Sequence, residues 1–297
     1  MVLNPQAAAD VADATAGPHI SDPGADIDGF RREMATEALT EERREVAYVR
    51  DVDADGVPCR VFRPEPGAPV LLYAHGGGWV LGDLDTHDRW GRELAVRTGW
   101  AVVAVHYRRS PEHPYPLPLD DVETALHWVR ANADEHALDA SRIVGVGDSS
   151  GANLVAGLSV REPGAFAYQV LAYPPLDPAC RADSFRTEDI AVLSAAEMRW
   201  FWDAYLPTDD LRSIPEAAPA YAEDLSRMPP TLLITAEHDV LRDEGEQFAA
   251  RLAAAGVGVA AQRHLGVVHG FWRRPWDYDP ADAALDELTG LLARLRT

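Results

Sequence analysis

Short apolar runs alternate with stretches of helical periodicity along most of this chain, and this alternation limits the fold class. The runs are rich in Val, Ile, Leu and Tyr, and the stretches repeat apolar residues at three- and four-residue spacing. Buried strands that alternate with helices form a mainly parallel sheet with helices on both faces, which predicts an α/β fold. Only the turn DADG separates the first two runs, so the sheet is predicted to begin antiparallel. Strands are predicted at 45–51, 57–63, 69–74, 100–106, 142–147, 167–173, 231–236 and 257–263, and helices at 88–99, 119–132, 151–160, 243–256 and 281–295.

Two segments fall outside this alternation. Residues 1 to about 40 are predicted to be helical, and about 180–220 separate two strands by more than one helix requires. Long connections in compact domains are often lids or binding elements, so the second segment is expected to be one on a single domain, 1–297. The alternative is that the aromatic residues of the second segment form only its own small core. These residues are Phe185, Trp200, Phe201, Trp202 and Tyr205.

The composition argues against several classes of function. Asp and Glu number 48 against 27 basic residues, a formal net charge of -21 that disfavours nucleic acid and anionic membranes as partners. The chain contains no lysine, so neither a P-loop nor Schiff-base chemistry is available to it. Cys59 and Cys180 stand apart, without the paired spacing of a zinc or iron–sulfur site. We expect two reduced thiols, no metal and no organic cofactor.

The N-terminal sequence MVLNPQAAADVADATAGPHI bears on where the protein acts. It has neither the basic region nor the continuous apolar region of a secretion signal. No apolar run in the chain approaches membrane-spanning length. The expected location is therefore the cytoplasm.

The sequence RIVGVGDSSGANL, at 142–154, places Ser149 between a predicted strand and a predicted helix. Glycine and serine both favour turns, so the pattern G-x-S-x-G alone is weak evidence for a nucleophile. A serine hydroxyl is a weak nucleophile until a base takes its proton, and the base works best when a third group orients it. Ser149 therefore needs an acid and a histidine that each follow a strand.

The sequence TLLITAEHDVLRDEGE offers several candidates for the acid. Asp239 follows the predicted strand 231–236 and is the favoured candidate. Glu237 lies close to the strand end, where it has little freedom to reach a loop. Asp243 and Glu244 fit the first turn of the next helix, where the helix dipole favours acidic residues.

Among the ten histidines, His269 is the strongest candidate for the base. It lies in a loop after the last predicted strand, within the sequence VVHGF. His127 falls in a predicted helix, His106 at a strand end and His264 close to the last strand. These three positions favour structural roles over catalysis.

The sequence YAHGGGWVLGD provides donors for the negative charge that forms when a serine attacks a carbonyl. Glycine amides can turn toward a ligand because no Cβ stands in the way. We predict that Gly76, Gly77 and Ser150 donate to this oxyanion, with support from the N-terminus of the helix that starts near 150. Three glycines alone could be a flexible turn, but G-x-S-x-G follows in the right order and favours the oxyanion role.

Together these motifs resemble those of the hormone-sensitive-lipase family, a group of α/β-hydrolase esterases with an H-G-G-G motif. The similarity covers nearly the whole chain and includes the glycine segment His75–Gly78 and the serine segment Gly147–Gly151. Further matching segments are YRRSPEHPYPLPLDDVETALHW, LAYPPLD, EMRWFWDAYL, AEHDVLRDEGEQFAARL and HGF.

The resemblance implies an α/β-hydrolase fold with an eight-stranded, mostly parallel sheet, and a helical cap formed by residues 1 to about 40 and about 180–220. It also implies that Ser149, Asp239 and His269 form the catalytic triad. Two peptide bonds, Ser110-Pro111 and Tyr115-Pro116, are implied to be cis.

The chain departs from the family pattern at three positions. Ser150 and Ala152 occupy places where the family usually has Ala and Gly, and Trp79 follows the glycines where Phe or Tyr is common. Trp79 is expected to narrow the substrate pocket. The other pocket residues are expected to be Gly78, Trp202 and Tyr205.

The expected activity is that of a serine carboxylesterase acting on uncharged esters with short or medium acyl chains. Three alternatives remain open at this point. The first is a dehydratase, cyclase or lyase of secondary metabolism, because the fold does not fix the reaction. The second is an amide or lactone hydrolase, and the third is a small-molecule receptor, which the presence of His269 disfavours. A homodimer is expected because family members often dimerise.

Overall fold

The computed structural model describes residues 2–189 and 192–296, and in them eight strands form one sheet. The strands are β1 (Tyr48–Ala54), β2 (Val57–Arg63), β3 (Ala68–Ala74), β4 (Ala101–Val105), β5 (Leu138–Asp148), β6 (Tyr168–Ala172), β7 (Thr231–His238) and β8 (Val259–Val268). The order across the sheet is β1-β2-β4-β3-β5-β6-β7-β8. All eight predicted strands are present, so the prediction of an eight-stranded sheet is confirmed.

The sheet begins antiparallel and continues parallel, as the short first turn indicates. β1 pairs antiparallel with β2, and β2 pairs antiparallel with β4. Every later pairing, from β3 with β4 to β7 with β8, is parallel. The carboxyl ends of these parallel strands therefore meet at one edge of the sheet, where ligands bind in folds of this class.

The largest extensions beyond the predicted strands are in β5 and β8. β5 begins at Leu138 instead of 142, because it also pairs with the start of β3 across a bulge at Pro69/Val70. β8 continues to Val268 instead of 263, because its pairing with β7 resumes after a shift in register. Both extensions depend on a neighbouring strand, which local sequence does not reveal.

Helices cover both faces of the sheet. The helices are α1 (Pro5–Ala16), α2 (Ile27–Ala38), α3 (Asp88–Thr98), α4 (Leu117–Asn132), α5 (Ser150–Arg161), α6 (Ser184–Thr187), α7 (Ala195–Tyr205), α8 (Arg242–Ala254) and α9 (Asp279–Leu295). α4, α5, α7 and α8 contribute to a core on one face, whereas α3 and α9 contribute to a core on the other. β3 shows the alternation, since Leu72 joins the first core and Leu71 and Tyr73 join the second.

The two segments outside the strand–helix alternation are helical. α1 and α2 precede the first strand, and α6 and α7 lie in the long connection between β6 and β7. α7 starts with a capping box, in which Ser194 and Glu197 satisfy each other's backbone amides and fix where the helix begins.

Two further findings bear on the sequence expectations. The Ser110-Pro111 and Tyr115-Pro116 bonds are both cis. Among the residues that the structure describes, no helix is both long enough and apolar enough to cross a membrane.

Candidate active site

Ser149 occupies a sharp turn between β5 and α5. Its backbone has φ 50° and ψ -125°, a conformation that non-glycine residues rarely adopt. The turn packs so closely that a Cβ at Gly151 would lie 2.0 Å from the carbonyl oxygen of Ala74, and one at Gly147 would lie 2.4 Å from a Gly151 backbone carbon. Both glycines are therefore required, and the turn they permit presents Ser149 at the edge of the sheet.

Ser149, His269 and Asp239 form a continuous hydrogen-bonded chain. His269 Nε2 lies 2.9 Å from Ser149 Oγ, and His269 Nδ1 lies 2.8 Å from Asp239 Oδ2. The carboxylate accepts a hydrogen bond from Nδ1–H, which keeps the proton on Nδ1 and leaves Nε2 free to accept the serine proton. Asp239 is buried, and its other oxygen accepts the amide of Leu241 at 2.9 Å.

The competing acids are engaged elsewhere. Glu237 accepts the backbone amide of Gly266 at 2.7 Å. Asp243 is paired with an arginine and accepts the amide of Ser184, and Glu244 accepts the amide of Leu176 at 2.6 Å. The structure thus brings the favoured acid to the histidine and gives the other three separate partners.

The structure corrects the prediction of which backbone amides near Ser149 are free to bind an oxyanion. Gly76 was expected to donate to an oxyanion, but its amide donates to the carboxylate of Asp148 at 3.1 Å. The amides of Gly77, Gly78 and Ser150 donate to no acceptor among the described residues. The glycine segment thus offers Gly77 and Gly78, one residue later than predicted, because a buried carboxylate occupies the first amide.

Asp148 holds the glycine segment against the serine turn. Its Oδ1 accepts the hydroxyl of Tyr73 at 2.6 Å as well as the Gly76 amide. Burial raises the pKa of the Asp148 carboxyl, and the positive charge of Arg273 opposes that rise in pKa. A Cβ at Gly76 would lie 2.5 Å from this carboxylate, so only glycine fits there.

A cavity of about 160 Å³ lies at Ser149 and His269. Its apolar wall comes from the N-terminal segment and from the connection that contains α7. The residues of this wall are Met34, Val192, Leu193, Met198 and Phe201. His87 and Arg273 also line the cavity. We refer to it as the catalytic cavity.

The structure also corrects the prediction of which residues line the substrate pocket. Gly78 lines the catalytic cavity, but Trp79, Trp202 and Tyr205 are not among its described lining residues. These three are fully buried and pack on one another, with the Trp79 and Tyr205 rings stacked at 4.4 Å. They form a small core beneath the wall, and Phe201 is the aromatic residue of α7 that reaches the cavity.

Several lining residues carry no signal that sequence reasoning could have used. Met34, Val192 and Leu193 belong to segments whose place over the site depends on tertiary packing. Arg273 follows His269 closely in the sequence, and only this proximity could have indicated that Arg273 lines the cavity. His87 could have been suggested only by its position shortly after the glycines.

Away from this cavity, Glu123, His127 and Glu162 place three ligand atoms within 4.8 Å of one another. Such a group could hold a metal ion. However, Glu123 and Glu162 are both ion-paired with arginines, and none of the three lines the catalytic cavity.

Comparison with known proteins decides the family. The family model described as alpha/beta hydrolase fold matches residues 71–273, which include the glycine segment, Ser149, Asp239 and His269. The carboxylesterase NlhH of Mycobacterium tuberculosis is 40% identical over 236 residues, 75% of this chain and 74% of its own. The chain belongs to the hormone-sensitive-lipase-like family of α/β hydrolases.

Other relatives of this hydrolase agree with that assignment. The ethyl acetate hydrolase of Pseudomonas putida is 35% identical over 244 residues, 78% of this chain and 77% of its own. The solved structure of a hyperthermophilic esterase from Pyrobaculum calidifontis superposes with a TM-score of 0.89 at 33% identity, over 100% of this chain and 99% of that one. The α/β-hydrolase fold predicted from the motifs is confirmed.

Proposed function

We propose that this hydrolase is a serine carboxylesterase that works through an acyl-enzyme on Ser149. The observation that carries the proposal is the hydrogen-bonded chain from Ser149 through His269 to Asp239, with distances of 2.9 and 2.8 Å. Relatives named for carboxylesterase and ethyl acetate hydrolase activity support ester hydrolysis over the lyase and receptor alternatives.

The first half of the reaction transfers the acyl group to the enzyme. Ser149 Oγ attacks the ester carbonyl while His269 Nε2 takes its proton, and the new negative charge on oxygen meets the amides of Gly77, Gly78 and Ser150. These amides are fixed before the reaction, so little reorganisation is needed as charge develops. His269 then gives its proton to the leaving alcohol, and the C–O bond breaks.

The second half releases the acid. A water molecule gives a proton to His269 and attacks the acyl carbonyl, and the same three amides meet the charge again. Collapse of the tetrahedral intermediate returns the proton to Ser149 and frees the carboxylic acid. Asp239 stays ionised throughout and stabilises the imidazolium that forms in each half.

We propose that the cavity takes an uncharged ester unit with a short or medium acyl chain. Its volume of about 160 Å³ is below the range of pockets that enclose larger ligands, and its outer wall is apolar. Because Met34 lies on α2 and Phe201 on α7, both helical segments would act as a cap over the acyl group. The homodimer stays a prediction.

The test is hydrolysis of a series of p-nitrophenyl esters, from acetate to octanoate, by the wild-type protein and Ser149→Ala. We expect Ser149→Ala to lose at least about three orders of magnitude in kcat, as triad removals do. Ser141→Ala, at an exposed serine on β5, the strand that precedes Ser149, is the matched control and should retain wild-type rates. Retention of wild-type activity by Ser149→Ala would contradict the proposed nucleophile.

A further inference from the structure

Arg273 places a positive charge in the wall of the catalytic cavity. It ends a short 3₁₀ turn, Phe271–Arg273, that follows His269. Within the described chain its guanidinium makes no hydrogen bond and no ion pair. The next residue differs sharply, because Arg274 pairs with both Asp10 and Asp277. Arg273 therefore has N–H donors that the described residues do not use.

The position of Arg273 joins two cavities. Arg273 and Met34 line both the catalytic cavity and a neighbouring cavity of about 380 Å³. Arg89 also lines the neighbouring cavity, with its guanidinium 3.7 Å from the centre of the Trp276 ring. Because the two cavities share Met34 and Arg273, the far end of a substrate larger than the catalytic cavity would meet Arg273.

Two carboxylates lie within electrostatic range of Arg273, but neither pairs with it. Asp148 accepts the Tyr73 hydroxyl and the Gly76 amide, and Glu41 lines the neighbouring cavity. Arg273 opposes the rise in pKa that burial causes in both groups. Neither carboxylate forms an ion pair with Arg273, so among the described residues nothing occupies the planar set of N–H donors of Arg273.

A guanidinium on a cavity wall is suited to one kind of group. Its N–H donors match the two oxygens of a carboxylate in a bidentate pair, and such pairs are strong and geometrically specific. The described lining of the catalytic cavity contains one arginine, Arg273, and one carboxylate, Asp148, which is hydrogen-bonded to Tyr73 and to the Gly76 amide. Arg273 is thus the cation there that would select for an anionic end group. The overall charge of -21 still disfavours substrates that carry many negative charges.

We propose that Arg273 binds a carboxylate carried by the substrate at the end away from the reacting ester. The substrate class is then a half-ester of a dicarboxylic acid, or an O-acylated hydroxy acid, with the uncharged ester unit in the catalytic cavity. This inference rests on the proposed esterase function and narrows it. Arg273 does not take part in proton transfer, and its role is to determine specificity.

The test compares esters that differ only in charge. Monoethyl glutarate is paired with ethyl glutaramate, and 4-acetoxybutanoate is paired with 4-acetoxybutanamide, so that a neutral amide replaces each carboxylate. In the pair that fits the site, Arg273→Met should lower kcat/KM for the carboxylate ester about tenfold or more, and change the amide ester less than about twofold. Arg273→Lys should retain part of the preference. Arg32→Met, an exposed arginine that lines neither cavity, is the control for net charge and should leave the ratio unchanged.

The outcomes separate this inference from the function it rests on. If wild type prefers neither carboxylate over its amide, or if Arg273→Met lowers all four rates equally, Arg273 has no role in binding an anion. If wild type hydrolyses none of the four esters, or if Ser149→Ala hydrolyses them as fast as wild type, the esterase proposal itself fails. A preference for only one of the two carboxylates supports the inference and identifies which end of the ester faces Arg273.

Discussion

His75 lies enclosed directly before the glycines that face Ser149. Its ring stacks on Tyr107 at 4.3 Å and on His87 at 5.0 Å, and its Nδ1 lies 2.8 Å from the carbonyl oxygen of Gly76. Burial lowers the pKa of His75 from 6.5 to about 3. The native state therefore keeps this imidazole neutral at a pH where the unfolded chain would protonate it.

This difference predicts a pH-dependent contribution to stability. Below pH 6.5 the unfolded state binds a proton that the native state does not, so stability is lost as pH falls toward the native pKa of about 3. His75→Gln removes this titration. We expect the unfolding free energy of wild type, relative to His75→Gln, to fall by about 1 kcal/mol between pH 6 and pH 5. Urea unfolding at several pH values measures it, and parallel pH profiles for the two proteins would contradict it.

Single residues differ in how far the sequence determines their role. Ser149, Asp239 and His269 could be selected because each follows a strand and the chain order is that of known triads. The prediction that Gly76 donates to the oxyanion is wrong, because its amide donates to the carboxylate of Asp148. The sequence does not show in which direction the Asp148 side chain points. Which side chain meets which backbone amide is visible only in the three-dimensional structure.

At the scale of elements, α7 divides its aromatic residues between the cavity and the core. Phe201 lines the catalytic cavity, whereas its neighbour Trp202 is fully buried against Trp79 at 4.6 Å. Adjacent residues on a helix point in directions roughly 100° apart, so Phe201 can face the cavity while Trp202 faces the core. The sequence shows that the segment is aromatic, but not which face it turns to the site.

This division predicts different outcomes for two neighbouring substitutions. Phe201→Ala should enlarge the catalytic cavity, and room for two more methylene groups should raise the kcat/KM ratio of longer to shorter acyl esters about tenfold. Trp202→Ala should leave that ratio unchanged but lower the unfolding free energy by about 3 to 5 kcal/mol, because it leaves a void in the core. Rates on the ester series and urea unfolding measure the two effects. A changed acyl preference in Trp202→Ala, with none in Phe201→Ala, would contradict the assignment.

At the scale of the whole molecule, the alternation of strands and helices predicts the sheet correctly but does not predict which segments cover the site. The number of strands, their mainly parallel pairing and the antiparallel start all follow from local periodicity and the short first turn. The docking of α2 over the site does not, because Met34 lines the same cavity as Ser149 only through packing between segments distant in sequence. Local patterns determine which elements form, whereas packing across the sheet determines which side chains meet the substrate.

The central claim is that this fold activates one serine, Ser149, for attack on an ester carbonyl. The most direct measurement is mass spectrometry of the protein after reaction with p-nitrophenyl ethyl methylphosphonate. Ser149 Oγ would form a bond to phosphorus as p-nitrophenolate leaves, and the product cannot be deacylated as an ester can. We expect one phosphonyl group per chain, located on the peptide that contains Ser149, with activity lost in proportion and no such adduct in Ser149→Ala. Inactivation with the group on another residue, or labelling of Ser149→Ala at the wild-type rate, would contradict the account.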